Sequence, residues 1–286
     1  MKQILVLSGK GGTGKTTIAA AFIAFSKARA IADCDVDAPN LHIVTSKNGQ
    51  VETKDFIGSQ KAVINQESCI QCGACYNHCA FSSIVKTTTG YQVNEYACEG
   101  CGVCDYVCPV HAVSMEDDVA GTQQVFLSDT VFSTAKLKMG RGNSGKLVTE
   151  VKKELVKHQT DQEFAIIDGS PGIGCPVMAS LSGVDIALIV AEPSESGFSD
   201  LKRLVKTANH LQTTLAVCVN KWDTSPMHTE KIIDYCKAEN LSFVGKIPYD
   251  AHASSAINEG KSIADINCPA RDALYQVYQK TMEMVL

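Results

Sequence analysis

Eight of the thirteen cysteines fall into two copies of one pattern: Cys69, Cys72, Cys75, Cys79, then Cys98, Cys101, Cys104, Cys108. Each copy reads C-x2-C-x2-C-x3-C, and Pro109 follows the second. Thiolates at this spacing suit two [4Fe–4S] clusters. Two matched runs of this kind are hard to obtain as core packing. The same chain opens with Gly9, Lys10, Gly11, Gly12, Thr13, Gly14, Lys15, Thr16 and Thr17, which fits the G-x4-G-K-[ST] phosphate loop. Its glycines let backbone N–H groups curl round phosphate oxygens. Lys15 is placed to neutralise the β- and γ-phosphates, and the Thr16 hydroxyl to coordinate Mg²⁺. One polypeptide therefore carries the residues of an electron relay and of a nucleotide switch, and coupling the two is the expected function.

These groups need elements to hold them. Gln3–Leu7 reads as a strand, and Thr16–Lys27 has a helix-like apolar run, the context a phosphate loop requires. Ala28–Ala32 reads as the next strand and ends at Asp33, Cys34, Asp35, Val36 and Asp37. Open α/β sheets place their ligands at such carboxyl ends. From about Val63 to Met115 cysteine dominates, with a repeat of 29 residues from Cys69 to Cys98. A unit this small has little core, and bound clusters would supply the missing stabilisation.

After about Asp117 the α/β rhythm returns. Ser144–His158 has helical spacing, and Phe164–Ile167 is a buried-type strand ending at Asp168. Ile186–Val190, Leu215–Val219 and Phe243–Ile247 read as further strands. The tail Ala270–Met284 sets Leu274, Val277, Tyr278 and Met282 on one helical face, read as core packing. The expected fold class is α/β: a mostly parallel-sheet P-loop NTPase domain over residues 1–61 and 118–286, interrupted by a small cluster-binding domain over 62–117.

The bulk numbers agree. Apolar content of 45% and charged content of 20% suit a globular chain. A net charge of −5 favours no nucleic-acid partner. The longest strongly apolar run, Ile18 to Phe25, is far short of the roughly 20 residues that span a bilayer. The start runs straight into the phosphate loop, with no room for a signal h-region. Cysteine-rich composition without such a signal argues for metal in a reducing compartment, so the chain is read as cytoplasmic.

Two resemblances follow from these motifs. The cysteine runs resemble a bacterial ferredoxin with two [4Fe–4S] clusters, in which the fourth cysteine of each run ligates the other cluster. This implies one cluster on Cys69, Cys72, Cys75 and Cys108, and a second on Cys98, Cys101, Cys104 and Cys79. Ala80 stands where the usual proline would follow Cys79. The loop with its early lysine, Lys10, resembles the deviant phosphate loop of the MinD/ParA/nitrogenase-iron-protein class. The likeness continues at Asp33, Cys34 and Asp35 (first switch) and at Ile166 to Gly172 (Walker B strand and second switch). With the insert, the chain resembles MinD-superfamily ATPases containing an inserted ferredoxin domain.

The resemblance implies roles. Lys10 would reach a partner's nucleotide in an ATP-bound homodimer. Asp35 would orient the attacking water. Asp33 and Asp168 would lie on the Mg²⁺ side, and Asn220 would contact the base. Asn220, Lys221, Trp222 and Asp223 also match the guanine-reading Asn-Lys-x-Asp pattern, which leaves GTP as an alternative to ATP, with a helix-cap role for Asp223 equally open. Cys175, seven residues after Asp168, corresponds to a cluster-holding cysteine of the nitrogenase iron protein, but Lys138 stands where that protein's other cluster cysteine would be. Cys175 is thus either a dimer-face thiol for metal or a plain thiol near the switch. The loop Arg141 to Lys146 either contacts a partner or nucleotide across the dimer, or simply leads into a helix. Cys218, Cys236 and Cys268 read as small buried hydrophobes.

Three functions remain open on the sequence. The first is a nucleotide-gated redox protein working with a redox partner. The second is an ATPase carrier or assembly factor that serves a metallocluster client. The third is a redox-sensing regulatory ATPase.

Overall fold

The computed structural model describes residues 1–43, 45, 49–158 and 162–285. By compactness the chain divides into two units: Met1–Thr53, Gln123–Lys136 and Ser144–Leu286 form the first, and Lys54–Thr122 with Leu137–Asn143 the second. The stretch 62–117 falls inside the second unit, which also takes in the residues flanking it.

The chain starts with β1 (Lys2–Leu7), α1 (Lys15–Ser26), β2 (Ala30–Asp33) and β3 (Gln50–Ile57). The second unit then contributes β4 (Lys61–Ile64), α2 (Ala74–His78), β5 (Ile84–Thr87), β6 (Gly90–Val93), α3 (Val103–Tyr106) and β7 (Val113–Glu116). Next come β8 (Val119–Leu127), β9 (Val131–Leu137), α4 (Ser144–His158), β10 (Phe164–Asp168) and α5 (Cys175–Leu181). The remainder alternates: β11 (Ile186–Ala191), α6 (Glu195–His210), β12 (Thr214–Asn220), α7 (Pro226–Ala238), β13 (Ser242–Ile247), α8 (Ala251–Asn258) and α9 (Pro269–Glu283).

The large sheet has the order β13-β12-β11-β1-β10-β2-β9-β8-β3. From β13 through β9 each neighbouring pair is parallel, so the expected mostly parallel α/β sheet is present. Its central strands are apolar on both faces, because helices cover both sides; every residue of β11 is buried. The register sets Val6 against Asp168 and Asp168 against Asp33, which gathers the acidic residues at neighbouring strand ends. Helix α9 packs as its periodicity predicts: Leu274, Val277 and Met282 are buried, and the Tyr278 ring meets Phe22 edge-on at 5.2 Å. No helix among the described residues is long and apolar enough to cross a membrane.

The second unit is two small antiparallel pairs, β4 with β7 and β5 with β6, and two short helices. Its backbone repeats with the sequence. Left-handed residues occur at Gln71 and Gly100, at Gly73 and Gly102, and at Ser82 and His111, each pair one 29-residue period apart. Its core is small and partly made of thiols: Cys75 and Cys98 are buried with Ala62, Ile84, Tyr91 and Val113, and Cys79, Cys104 and Cys108 pack against them.

Candidate functional site

The phosphate loop joins β1 to α1, so its N–H groups converge at a helix N-terminus, where anions are favoured. Gly14 has φ 92°, and a side chain there would meet the Asn220 amide at 2.3 Å; only glycine serves. The loop floors a cavity of about 590 Å³, a size that suits a small-molecule ligand. Asp35, Asn220 and Tyr249 also line it.

The charged centre of this cavity lies over the strand ends. Lys15 Nζ donates to Asp168 Oδ1 at 2.6 Å and sits 3.9 Å from Asp35. Burial acts to lower the Lys15 pKa, but Asp168, Asp35 and Asp33 outweigh it and hold the ammonium above its ordinary value. Asp168 Oδ2 is buried with no hydrogen-bond partner, as is Thr13 Oγ1. An orphaned carboxylate oxygen beside a phosphate loop is the donor a Mg²⁺ shell would satisfy. Asp33 is fully buried, and its oxygens accept the N–H groups of Asp35 at 3.1 Å and Leu41 at 3.0 Å. Burial and the charge of Asp168 push its carboxyl up to about 7. Both Asp33 oxygens thus bond the backbone of the segment that carries Asp35. Burial also raises the Asp35 carboxyl, opposed by Lys15.

Asn220 Nδ2 donates to the Thr13 carbonyl at 2.7 Å, and Lys221 Nζ to that of Gly12 at 3.1 Å. Asp223 Oδ1 accepts the Tyr249 N–H at 2.8 Å. The acid of the Asn-Lys-x-Asp pattern is therefore engaged with the backbone after β13. Lys10 forms an ion pair with Glu192 and donates to Ser196 Oγ at 3.3 Å. Sequence reasoning missed Glu192 and Ser196. The available signal was position, since Glu192 directly follows β11 on the ligand-bearing edge of the sheet.

The eight patterned cysteines gather in two groups within the second unit. One cavity is lined by Cys69, Cys72, Cys75 and Cys108, the other by Cys79, Cys98, Cys101 and Cys104. Each takes its fourth cysteine from the other repeat. Among the described residues no set of three or more His, Cys, Asp or Glu is drawn together as for a single metal ion. The Ala112 N–H donates to Cys108 Sγ at 3.2 Å, and the Ser83 hydroxyl lies 3.2 Å from Cys79 Sγ. Burial opposes ionisation of Cys79, but Ser83 and nearby backbone N–H groups hold its thiol below the ordinary range.

The other thiols separate cleanly. Cys34, Cys218, Cys236 and Cys268 are buried; burial pushes Cys34 and Cys218 up to about 12. Cys175 is exposed at the first residue of α5, against Gly145. The far end of α5 is gripped by Lys152, whose ammonium donates to the carbonyls of Ser180 at 2.8 Å and Ser182 at 2.5 Å. Arg141 is engaged inside the second unit, 2.6 Å from Glu95 and 3.0 Å from Asp118, with its guanidinium 5.1 Å from the Tyr96 ring centroid.

Comparisons with known proteins agree with this geometry. Residues 4–263 match the family described as CobQ/CobB/MinD/ParA nucleotide binding domain. The septum site-determining protein MinD of Pyrococcus horikoshii, solved with Mg-ADP, superposes with a TM-score of 0.60 at 15% identity, covering 99% of this chain and 97% of that one. An uncharacterized protein of Methanocaldococcus jannaschii is 29% identical over 99% of this chain and 97% of its own length. The iron-sulfur cluster carrier protein of Pyrococcus horikoshii is 25% identical over 97% of this chain and 84% of its own. The match spans most of the chain, and the chain belongs to the CobQ/CobB/MinD/ParA nucleotide-binding family as a P-loop ATPase.

Proposed function

We propose that this ATPase holds two [4Fe–4S] clusters in a ferredoxin-like unit and works as a nucleotide-switched carrier or assembly factor for iron–sulfur cofactors. The observation that carries the cluster half is the sorting of eight cysteines into two four-thiol cavities, each closed by a cysteine of the other repeat. A core this small and thiol-rich fits clusters as its missing stabiliser. The likeness to proteins named iron-sulfur cluster carriers, at 23–25% identity, favours the carrier reading over the electron-transfer reading that the motifs alone put first. The clusters, when bound, supply one-electron redox chemistry.

In this reading the phosphate loop, residues 9–17, binds Mg-ATP, with Thr16 and Asp168 on the metal side. Lys15 exchanges its Asp168 bond for phosphate oxygens. Asp35 orients the attacking water, and Asp33 positions Asp35. Phosphoryl transfer needs little beyond such placement and charge neutralisation. Lys10 leaves Glu192 to reach the nucleotide of a second copy, making the nucleotide-bound form a homodimer. Asn220 closes the loop beneath the base.

Electron transfer stands as a second reading because one chain supplies both full ligand sets, leaving no open position for handover. One experiment separates them. The chain is purified without oxygen, its iron and sulfide are counted, and it is mixed with a cluster-free acceptor protein, with and without Mg-ATP. The carrier reading expects ATP-dependent appearance of cluster absorbance on the acceptor. Retention of all iron by the donor, with turnover that changes on cluster reduction, would replace it by electron transfer.

A further inference from the structure

The two repeats are each other's control, because every position in one has a counterpart 29 residues away. Most counterparts are alike in role. Cys79 matches Cys108, Phe81 matches Val110, and each of these closes the cavity of the opposite repeat.

Two differences between counterparts bear directly on cysteines of one cavity. Ser83 stands where the other repeat has Ala112. At Cys108 the sulfur receives the Ala112 backbone N–H at 3.2 Å. At Cys79 the side chain of Ser83 adds a hydroxyl at 3.2 Å; beside a thiolate the hydroxyl is the donor. Lys61 stands where the other repeat has Gly90, and its ammonium donates to the Cys98 carbonyl. Gly90 has no side chain with which to make the equivalent bond to the Cys69 carbonyl. A third difference works against these two: Glu99 lines this cavity where Ile70 lines the other. Glu99 is exposed, so water and salt screen it, whereas Lys61 is half-buried. Apolar side chains line both cavities, Ile64, Ile70, Tyr91 and Val110 in the first and Phe81, Val103 and Met115 in the second, so the difference between them rests on Ser83 and Lys61.

Reducing a [4Fe–4S] cluster adds one negative charge, which spreads onto the thiolate sulfurs. Hydrogen bonds to sulfur and nearby positive charge therefore favour the reduced form. We propose that the two cluster sites are unequal, and that the site bounded by Cys79, Cys98, Cys101 and Cys104 is the better electron acceptor because of Ser83 and Lys61. An electron entering the unit comes to rest there. No bond is made and no proton moves. This inference rests on the proposed binding of two clusters, which both functional readings share.

The test uses the full chain, purified without oxygen, with iron and sulfide counted first. Dithionite supplies electrons one at a time through mediators, and the reduced clusters are followed by electron paramagnetic resonance. Two reduction waves are expected, separated by roughly tenfold or more in the reduction equilibrium, about 59 mV for one electron. Ser83→Ala should lower the higher wave severalfold and leave the lower one in place. Lys61→Met should shift the same wave in the same direction. Ala112→Ser, which adds the missing hydroxyl to the other site, should raise the lower wave towards the higher. A fully loaded protein with one unsplit wave would overturn the inference, as would Ser83→Ala leaving both waves where they were. An iron count near zero would overturn the cluster reading itself, and this inference with it.

Discussion

Lys15 Nζ donates to Asp168 Oδ1 at 2.6 Å, while Asp168 Oδ2, equally buried, has no partner. One oxygen of this carboxylate holds the loop lysine; in the proposed Mg-ATP form the other would join the Mg²⁺ shell. The pair lies wholly within the ATPase unit, and the eight patterned cysteines lie in the other. Lys15→Ala should therefore weaken nucleotide binding about 100-fold or more, the loss of a charge-assisted contact to phosphate. Iron content should be unchanged. Binding by fluorescent ATP analogue and iron by colorimetry check both halves; loss of iron would mean that the two units fold as one.

Asp35 sits at the edge of the same cluster, close enough to Lys15 to share its field but not its hydrogen bond. Its loop is fixed by the buried Asp33. Asp35→Ala should bind Mg-ATP normally and hydrolyse it about 100-fold more slowly, the usual worth of a positioned proton acceptor. Single-turnover hydrolysis measures this, and a normal rate would move the water-orienting role elsewhere.

Much of this was legible in the sequence because the signals are local. The phosphate loop is contiguous, and α4 falls on the expected Ser144–His158. The apolar strands were found to within a residue or two, since parallel strands covered on both faces are continuous apolar runs. What the chain concealed was long-range or polar. Strand β3 exposes most of its side chains, so it offers no apolar alternation to read. Glu192 lies 182 residues from Lys10, and nothing in either neighbourhood announces the pair. Asp223 carried a motif whose letters allowed base recognition, and only the fold revealed its bond to Tyr249.

The pairing of Lys10 with Glu192 and Ser196 holds that lysine on its own subunit. Releasing it should favour the nucleotide-bound dimer. Glu192→Gln should lower the ATP concentration needed for dimerisation severalfold, and Lys10→Ala should bind ATP yet stay monomeric. Light scattering across an ATP series distinguishes the outcomes; a dimer formed by Lys10→Ala would remove this lysine from the interface.

Asp223 bears on nucleotide choice. Its carboxylate accepts a backbone N–H and so ties the segment after β13 to the loop after β12. Asp223→Ala should therefore lower stability by about 1 kcal/mol, the net worth of one hydrogen bond, while ATP remains preferred over GTP by the same ratio as in the unaltered protein. Competition binding with both nucleotides decides it. A loss of GTP affinity confined to this variant would restore the guanine reading.

Lys152 gives a pH dependence whose sign can be worked out. Its side chain is almost wholly buried, and burial holds its pKa below the ordinary 10.5, with the neighbouring Cys34 opposing. Well below that lowered value the ammonium is charged in both states, and the folded protein bears the full cost of burying it. Between the lowered value and 10.5 the unfolded chain binds the proton more tightly, so folded stability rises with pH. Above that window both forms are neutral and the slope vanishes. Replacing the lysine also leaves the carbonyls of Ser180 and Ser182 without their donor, a loss of about 1–3 kcal/mol. Lys152→Met should accordingly be less stable than the unaltered protein, and the gap should widen as pH climbs through the alkaline range. Urea unfolding at stepped pH reads the gap directly. A gap that narrows with pH would mean that the charged ammonium stabilises the fold, with its grip on the Ser180 and Ser182 carbonyls outweighing its burial.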